Sequence, residues 1–311
     1  MEKGFENDKI DIEISNFNRL FYTFLVIYYT LIWASYGLKF AVCLAVSVLT
    51  GFLLRVLFIK NKTQDFGWQL FLLFPMFYSL ALPLWIIPIV LIVSYLISCS
   101  SFGGYEKRYF CPVIIAVIFM ICGYGYTSTL NASRPMEFGK SFFVYNSGMP
   151  AFKPVLKIYS KIPLKESLEA SVSGKYPAVL GANRSGFVVF VAFLFSILLK
   201  RKRVWFLTDF VLILVFTHFF SNGNIYCFYP LLYGLIPVIM FVGICDCKSI
   251  PNGVSEQIIA AFWFSMFSVL FTLKTENPYL PVYGYLIMQI LTPLTSDLVL
   301  SFKHNGSRNE K

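Results

Sequence analysis

Apolar positions along this chain come in long uninterrupted blocks, separated by short polar stretches. Neither the alternation of a half-buried strand nor the one-sided stripe of a soluble helix accounts for them. A helix needs about 20 residues to cross the hydrocarbon core of a bilayer. A peptide group in that core finds no water, so a greasy block has to close its hydrogen bonds internally as a helix. On this measure the pattern predicts spans over 20–36, 38–59, 68–81, 83–99, 110–126, 183–199, 204–220, 227–245, 257–273 and 280–300. Spans 68–81 and 83–99 meet at Pro83 and read also as one broken segment. The expected fold class is all-α: a polytopic membrane protein of about ten transmembrane helices.

Charge then gives the blocks a direction. Lys60 and Lys62, Lys107 and Arg108, the KRKR run at 200–203, Lys248, and Lys303, Arg308 and Lys311 all follow even-numbered spans. The intervening connections 81–84 and 221–226 carry no charge, and 274–279 carries only Lys274 and Glu276. The excess of positive residues on one side places both termini in the cytoplasm, in the inner (plasma) membrane of a bacterium. An even number of spans, which puts both termini on one side, agrees with this. The expected organisation is a cytoplasmic tail (1–18), a first helical half (19–126), an outer-side loop (127–182), a second helical half (183–300) and a cytoplasmic tail (301–311). Five spans entering from inside and five from outside form a 5+5 inverted repeat if the halves share a fold. Within the loop, 151–161 (AFKPVLKIYSK) sets lysines against Phe152, Val155, Leu156 and Ile158, the pattern of a short interfacial helix.

Composition narrows the function. Of 311 residues, 57% are hydrophobic and 14% charged, against roughly 25% charged in a soluble domain. The net charge of +10 gathers at span ends as a topology signal, so the expected partner is the lipid bilayer and not nucleic acid. Residues 1–18 are polar and acidic and lack the pattern of a cleaved signal peptide, so the first apolar block is expected to be retained. Phosphate loops, GxSxG and HExxH are absent, and no stretch could supply a soluble nucleotide-binding fold. No catalytic residue is assigned, and the chain is not expected to be an enzyme by itself. Cys245, Asp246 and Cys247 form the one tight cluster of metal-ligating types, at a spacing unlike structural zinc sites, so no metal is expected.

Charged residues inside apolar blocks are the next candidates. Arg55 reads as snorkelling from the cytoplasmic end of its span. Asp209, close behind the KRKR run, reads as a counterion to it, with an ion path as the alternative. Lys39 and Asp297 lie near span ends, where plain solvation is expected.

Four stretches, in order, resemble one family, the NqrB/RnfD family. Its members are membrane subunits of the sodium-translocating NADH:quinone reductase and of the Rnf ion-translocating oxidoreductase. The first stretch runs from Leu82, Pro83, Leu84 and Trp85 through a span to Ser101, Phe102, Gly103 and Gly104, then Phe110, Cys111 and Pro112. The family is similar, with Leu-Pro-Pro, Phe-Gly-Gly and Phe-Asn-Pro. The second is Val179, Leu180, Gly181 and Ala182, a span, and the basic stop at 200–205. The third is Ile244, Cys245 and Asp246 with Pro251, like a Thr-Asp-Pro turn. The fourth is 278–284, then Leu291, Thr292, Pro293, Leu294 and Asp297, like a Gly-Tyr-Pro turn, a span and Thr-Pro-Leu followed by Asp. In length the chain is closer to the Rnf member.

The resemblance implies a membrane subunit of a complex that passes electrons between NADH, ferredoxin or quinone and drives Na+ or H+ across the membrane, with the other oxidoreductase subunits as partners. It also implies FMN, phosphoester-linked to a threonine in a Ser-Gly-Ala-Thr-like motif on the outer side. The matching stretch here is Ser147, Gly148, Met149 and Pro150, after Asn146, and Met149 stands where the family has threonine. A thioether has no hydroxyl to esterify, so covalent FMN is not expected at that position. The other reading of the chain is a solute channel or transporter on the same inverted-repeat architecture, with broken helices near Pro83 and Pro278 forming a midplane site.

Overall fold

A computed structural model describes residues 2–58, 68–102, 109–130, 132–133, 143–145, 150–151, 163–174, 180–198, 202–223, 226–232, 234–246, 250–251, 253–275 and 279–308. The architecture is helical. The first block forms α1 (Glu2–Tyr36), and Gly37, at φ 79°, turns the chain at once into α2 (Leu38–Phe58). α1 takes in the polar segment expected to be a tail, so no break separates tail from span. Its side chains are described from Asn18 onward.

The third block departs from its prediction. Only Trp68–Leu73 is α-helical (α3); a 3-10 turn, Phe74–Phe77, follows, and the chain then runs irregularly to α4 (Ile86–Ser98). Pro75 stands at the start of the 3-10 turn, and Pro83 lies in the irregular stretch. Proline cannot donate to a helix and clashes with the preceding turn, which makes this a natural place for the break. α5 (Pro112–Leu130) begins on a proline and kinks at Tyr124.

The long loop holds a helix absent from the sequence-based prediction, α6 (Leu164–Ser173). Its signals are nonetheless local: Pro163 at the N-cap, Glu166 in the first turn and Gly174 in the left-handed conformation at the end. The predicted interfacial helix at 151–161 falls, beyond Ala151, outside the described residues. One two-residue ladder, β1 (Ala132–Ser133) with β2 (Pro150–Ala151), ties the start of the loop to its middle.

The second half begins with a 3-10 turn, Leu180–Ala182, and continues through α7 (Ser185–Leu198) and α8 (Arg203–Phe220). The predicted span 227–245 is split into α9 (Tyr229–Leu232) and α10 (Ile236–Cys245), with Gly234 between them and Pro237 in the first turn of α10. α11 (Val254–Thr275) and α12 (Pro281–Arg308) complete the bundle, α12 extending past the predicted span end.

Among the described residues, the helices over Leu38–Leu57, Arg203–Phe220 and Val254–Thr275 are each long and apolar enough to cross a membrane. α4, α7, α10 and the first part of α5 are apolar but shorter. Their outward faces are greasy: Leu53, Leu57, Phe190, Val211, Val215 and Phe219 are all exposed. Apolar side chains turned outward suit a surface bathed in hydrocarbon and not in water. The interior is aromatic, with Phe24 and Phe195 edge-on to Phe241 at 4.8 and 5.7 Å between centroids.

Candidate functional site

The α1–α2 corner gathers the polar groups that the apolar pattern leaves unexplained. Lys39, one residue into α2, is only 6% exposed. Its Nζ donates to the Leu80 carbonyl, in the irregular stretch before α4, and lies 6.0 Å from the Tyr145 ring centroid. The Leu38 amide donates to the Val144 carbonyl at 2.9 Å. Segment 143–145 is therefore clamped to the corner by a backbone bond and by a cation over an aromatic face, a contact worth about 0.5–2 kcal/mol. Solvation of Lys39 at a span end, the expected state, is not what occurs: burial forces the ammonium to find carbonyl and ring partners.

Beside this corner, Arg184 bridges three elements. Nη1 donates to Val172 O at 3.0 Å, near the end of α6, and Nη2 to Ser35 Oγ at 3.3 Å, near the end of α1, while the residue itself leads into α7. Asn183 Nδ2 donates to Gly174 O at 3.1 Å. Neither residue was among the sequence-based candidates. The available signal was a polar Asn-Arg pair set directly against an apolar run, where an ionisable group is costly and therefore engaged.

Segment 143–145 leads straight into residues 146–150, the stretch that resembles a flavin-attachment motif. Ser147, Gly148 and Met149 lie outside the described residues; the backbone of Pro150 is in β2, paired with Ser133. The chain thus reaches the motif from the clamped corner and leaves it through the ladder. The donor chemistry at position 149 does not fit a phosphoester-linked FMN, because a methionine side chain offers no hydroxyl.

Residues of the four family-like stretches make close contacts between elements. Gly181 O accepts from Tyr28 Oη at 2.7 Å, and a Cβ on Gly181 would sit 2.6 Å from the Met76 carbonyl oxygen. Only glycine lets these backbones approach so closely. The Cys111 amide donates to Gln289 Oε1 at 3.4 Å, and Tyr109 Oη donates to Gln289 O at 3.2 Å, joining the start of α5 to α12. At Gly284 a Cβ would meet Ser268 Oγ at 2.4 Å, which explains a small residue where α12 crosses α11. Lys202, from the KRKR run, is 2% exposed and donates to the carbonyls of Ile250 and Pro251. It therefore fixes the backbone at Ile250 and Pro251 as well as contributing charge.

Asp209 differs from its expected role. Its side chain is fully buried between α8 and α11, where Oδ1 contacts Ser265 Oγ and Oδ2 has no hydrogen-bond partner. The basic run engages carbonyls instead: Lys202 those already named and Arg203 Nη2 that of Ile197 at 2.7 Å. Arg55 is exposed, with its guanidinium 5.9 Å from the Trp68 ring centroid. The side chain of Asp297, together with Cys247, falls outside the described residues. Among the described residues no group of three metal-ligating side chains assembles.

The family described as NQR2, RnfD, RnfE matches this sequence over residues 7–302. Among curated proteins none matches it.

Proposed function

Since the chain belongs to the NQR2, RnfD, RnfE family, we propose that it is a membrane subunit of an ion-translocating oxidoreductase complex, in which electron transfer involving NADH, ferredoxin or quinone drives Na+ or H+ movement. The observation that carries this reading is the match itself, which covers nearly the whole chain. Family and apolar helices together make it a membrane protein and a subunit of a multi-subunit complex.

On this reading the chain has ten spans, both termini in the cytoplasm of a bacterial inner membrane, and two inverted halves. The packing supports the repeat. In the first half the fourth helix, α4, packs on the second and fifth, α2 and α5; in the second half α11 packs on α8 and α12. The third span of each half is broken, at 74–85 and at Gly234–Leu235, and the 3-10 turn Phe74–Phe77 rests on the 3-10 turn Leu180–Ala182. Such a chain serves as a scaffold lying between redox partners, and at residue 149 it lacks the covalent flavin of its relatives.

The test is purification of the intact chain in mild detergent with identification of what accompanies it. Other electron-transfer subunits in fixed ratio are expected. A chain that purifies alone and conducts a solute across proteoliposomes would replace this reading by the channel.

A further inference from the structure

The Asp209–Ser265 contact contains a proton-counting problem. Ser265 Oγ lies 2.7 Å from the Ala261 carbonyl oxygen one turn back on α11, and it also contacts Asp209 Oδ1. A serine hydroxyl has one hydrogen to give and two lone pairs to receive. If it gives that hydrogen to Ala261, in the i to i−4 bond that a helical serine makes to its own backbone, the contact with Asp209 closes only when the carboxyl supplies a hydrogen of its own. Oδ2 is buried with no partner. That is tolerable for the carbonyl oxygen of a neutral acid and costly for half of a carboxylate in a packed interior.

Among the described residues no cation pairs with the carboxyl. Along α8, Arg203 begins the helix about 9 Å away at about 1.5 Å per residue, and His218 lies about 14 Å away in the other direction. Lys202 and Arg203 are turned to backbone carbonyls. On α11 the charged residues Glu256 and Lys274 stand in the first and last turns, far from Ser265. Among the described side chains, α7 carries no titratable group, α10 carries Cys245, with Asp246 as its cap, and α12 carries Tyr283, which contacts Cys122 Sγ, and Tyr285, whose ring packs edge-on to Phe264 at 5.7 Å. Ser265 Oγ also lies 3.4 Å from Asp209's own carbonyl.

We propose that Asp209 is an intramembrane proton-binding site: a neutral carboxylic acid that donates through Oδ1 to Ser265, which in turn donates to Ala261. Loading is the reaction of the carboxylate with one H+ to give the acid. On release the Ser265 hydroxyl rotates from Ala261 O to Asp209 Oδ1, so a single hydroxyl serves both states. The proposal stands on helix packing alone and does not depend on which redox complex the chain enters.

Infrared difference spectroscopy of the complete chain, in its native complex in lipid, tests it, with H2O and D2O as the probes. Wild type minus Asp209→Asn at neutral pH should show the carbonyl stretch of a hydrogen-bonded neutral acid, shifting as D2O exchanges in. In Ser265→Ala the band should persist but move to the higher frequency of a free acid. This second variant carries the test if Asp209→Asn fails to accumulate. Carboxylate bands in place of the acid, a band indifferent to Ser265→Ala, or a proton that never exchanges would each overturn the site. Failure of co-purification with redox subunits would leave these spectra unaffected, so the two claims fail separately.

Discussion

The Tyr28 hydroxyl donates to the Gly181 carbonyl at 2.7 Å, joining the middle of α1 to the turn that opens the second half, 153 residues later in the chain. Both partners are buried, and a Cβ on Gly181 would strike the Met76 backbone 2.6 Å away. Backbone atoms cannot step aside as a flexible side chain can. Gly181→Ala is therefore expected to destabilise by about 1–3 kcal/mol, the usual scale of an overpacked core. Tyr28→Phe, which strands the carbonyl, should lose about 1–2 kcal/mol. Gly123→Ala meets nothing within 4 Å and should be neutral or slightly stabilising. Thermal unfolding of the three variants in detergent checks the order.

The clamp at Lys39 predicts a local effect. Lys39→Met removes the donor to Leu80 O and the cation over Tyr145 while keeping the aliphatic stem. A cysteine introduced at residue 144, whose carbonyl accepts from the Leu38 amide, should then react severalfold faster with a soluble maleimide than in the Lys39 background. Equal rates would mean that the backbone bond alone holds the segment.

Position 111 offers a reversion test. The Cys111 amide donates to Gln289 Oε1, while Gln289 Nε2 is buried with no partner. The family's asparagine at this place would bring a side-chain carbonyl to that unused donor. Cys111→Asn is expected to match or exceed wild-type stability by up to about 1 kcal/mol. Combined with Gln289→Ala it should fall below wild type, because the new amide is then buried without its partner. A double-mutant cycle measures the coupling.

At the attachment motif the prediction rests on a functional group. Wild-type chain should show no covalent flavin at residue 149, by peptide mass or by in-gel fluorescence. Met149→Thr, expressed alongside the flavin-attaching enzyme, should become fluorescent. A dark variant would mean that the loop around Ser147 and Gly148 has also lost recognition, and an adduct on the wild-type methionine position would refute the chemical argument.

What the sequence revealed and what it hid follow from the range of each interaction. The apolar blocks set where helices form, because the hydrocarbon leaves an unpaired peptide group no other partner. They did not show that the α-helix of 68–81 ends at Leu73 or that 227–245 breaks near Gly234, since hydropathy registers transfer energy and not helix continuity. Pro75 and Pro237 were the available marks. α6 was legible from Pro163, Glu166 and Gly174, yet its mean polarity hid it. The burial of Lys39, Lys202 and Arg184 depends on carbonyls brought from distant segments, which no local pattern encodes. Asp209 was visible as an acid inside a span; its partner Ser265, 56 residues away, was not.

The proposed arrangement of two inverted halves in the bilayer is tested most directly by labelling single cysteines with a membrane-impermeant reagent in a chain whose native cysteines have been replaced. Cysteines placed near residue 5, near residue 309 and at residue 144 are the informative set. The account predicts that the first two react only from the cytoplasmic side and the third only from the outside. Reaction of the two termini from opposite faces, or of residue 144 from the cytoplasm, would contradict it.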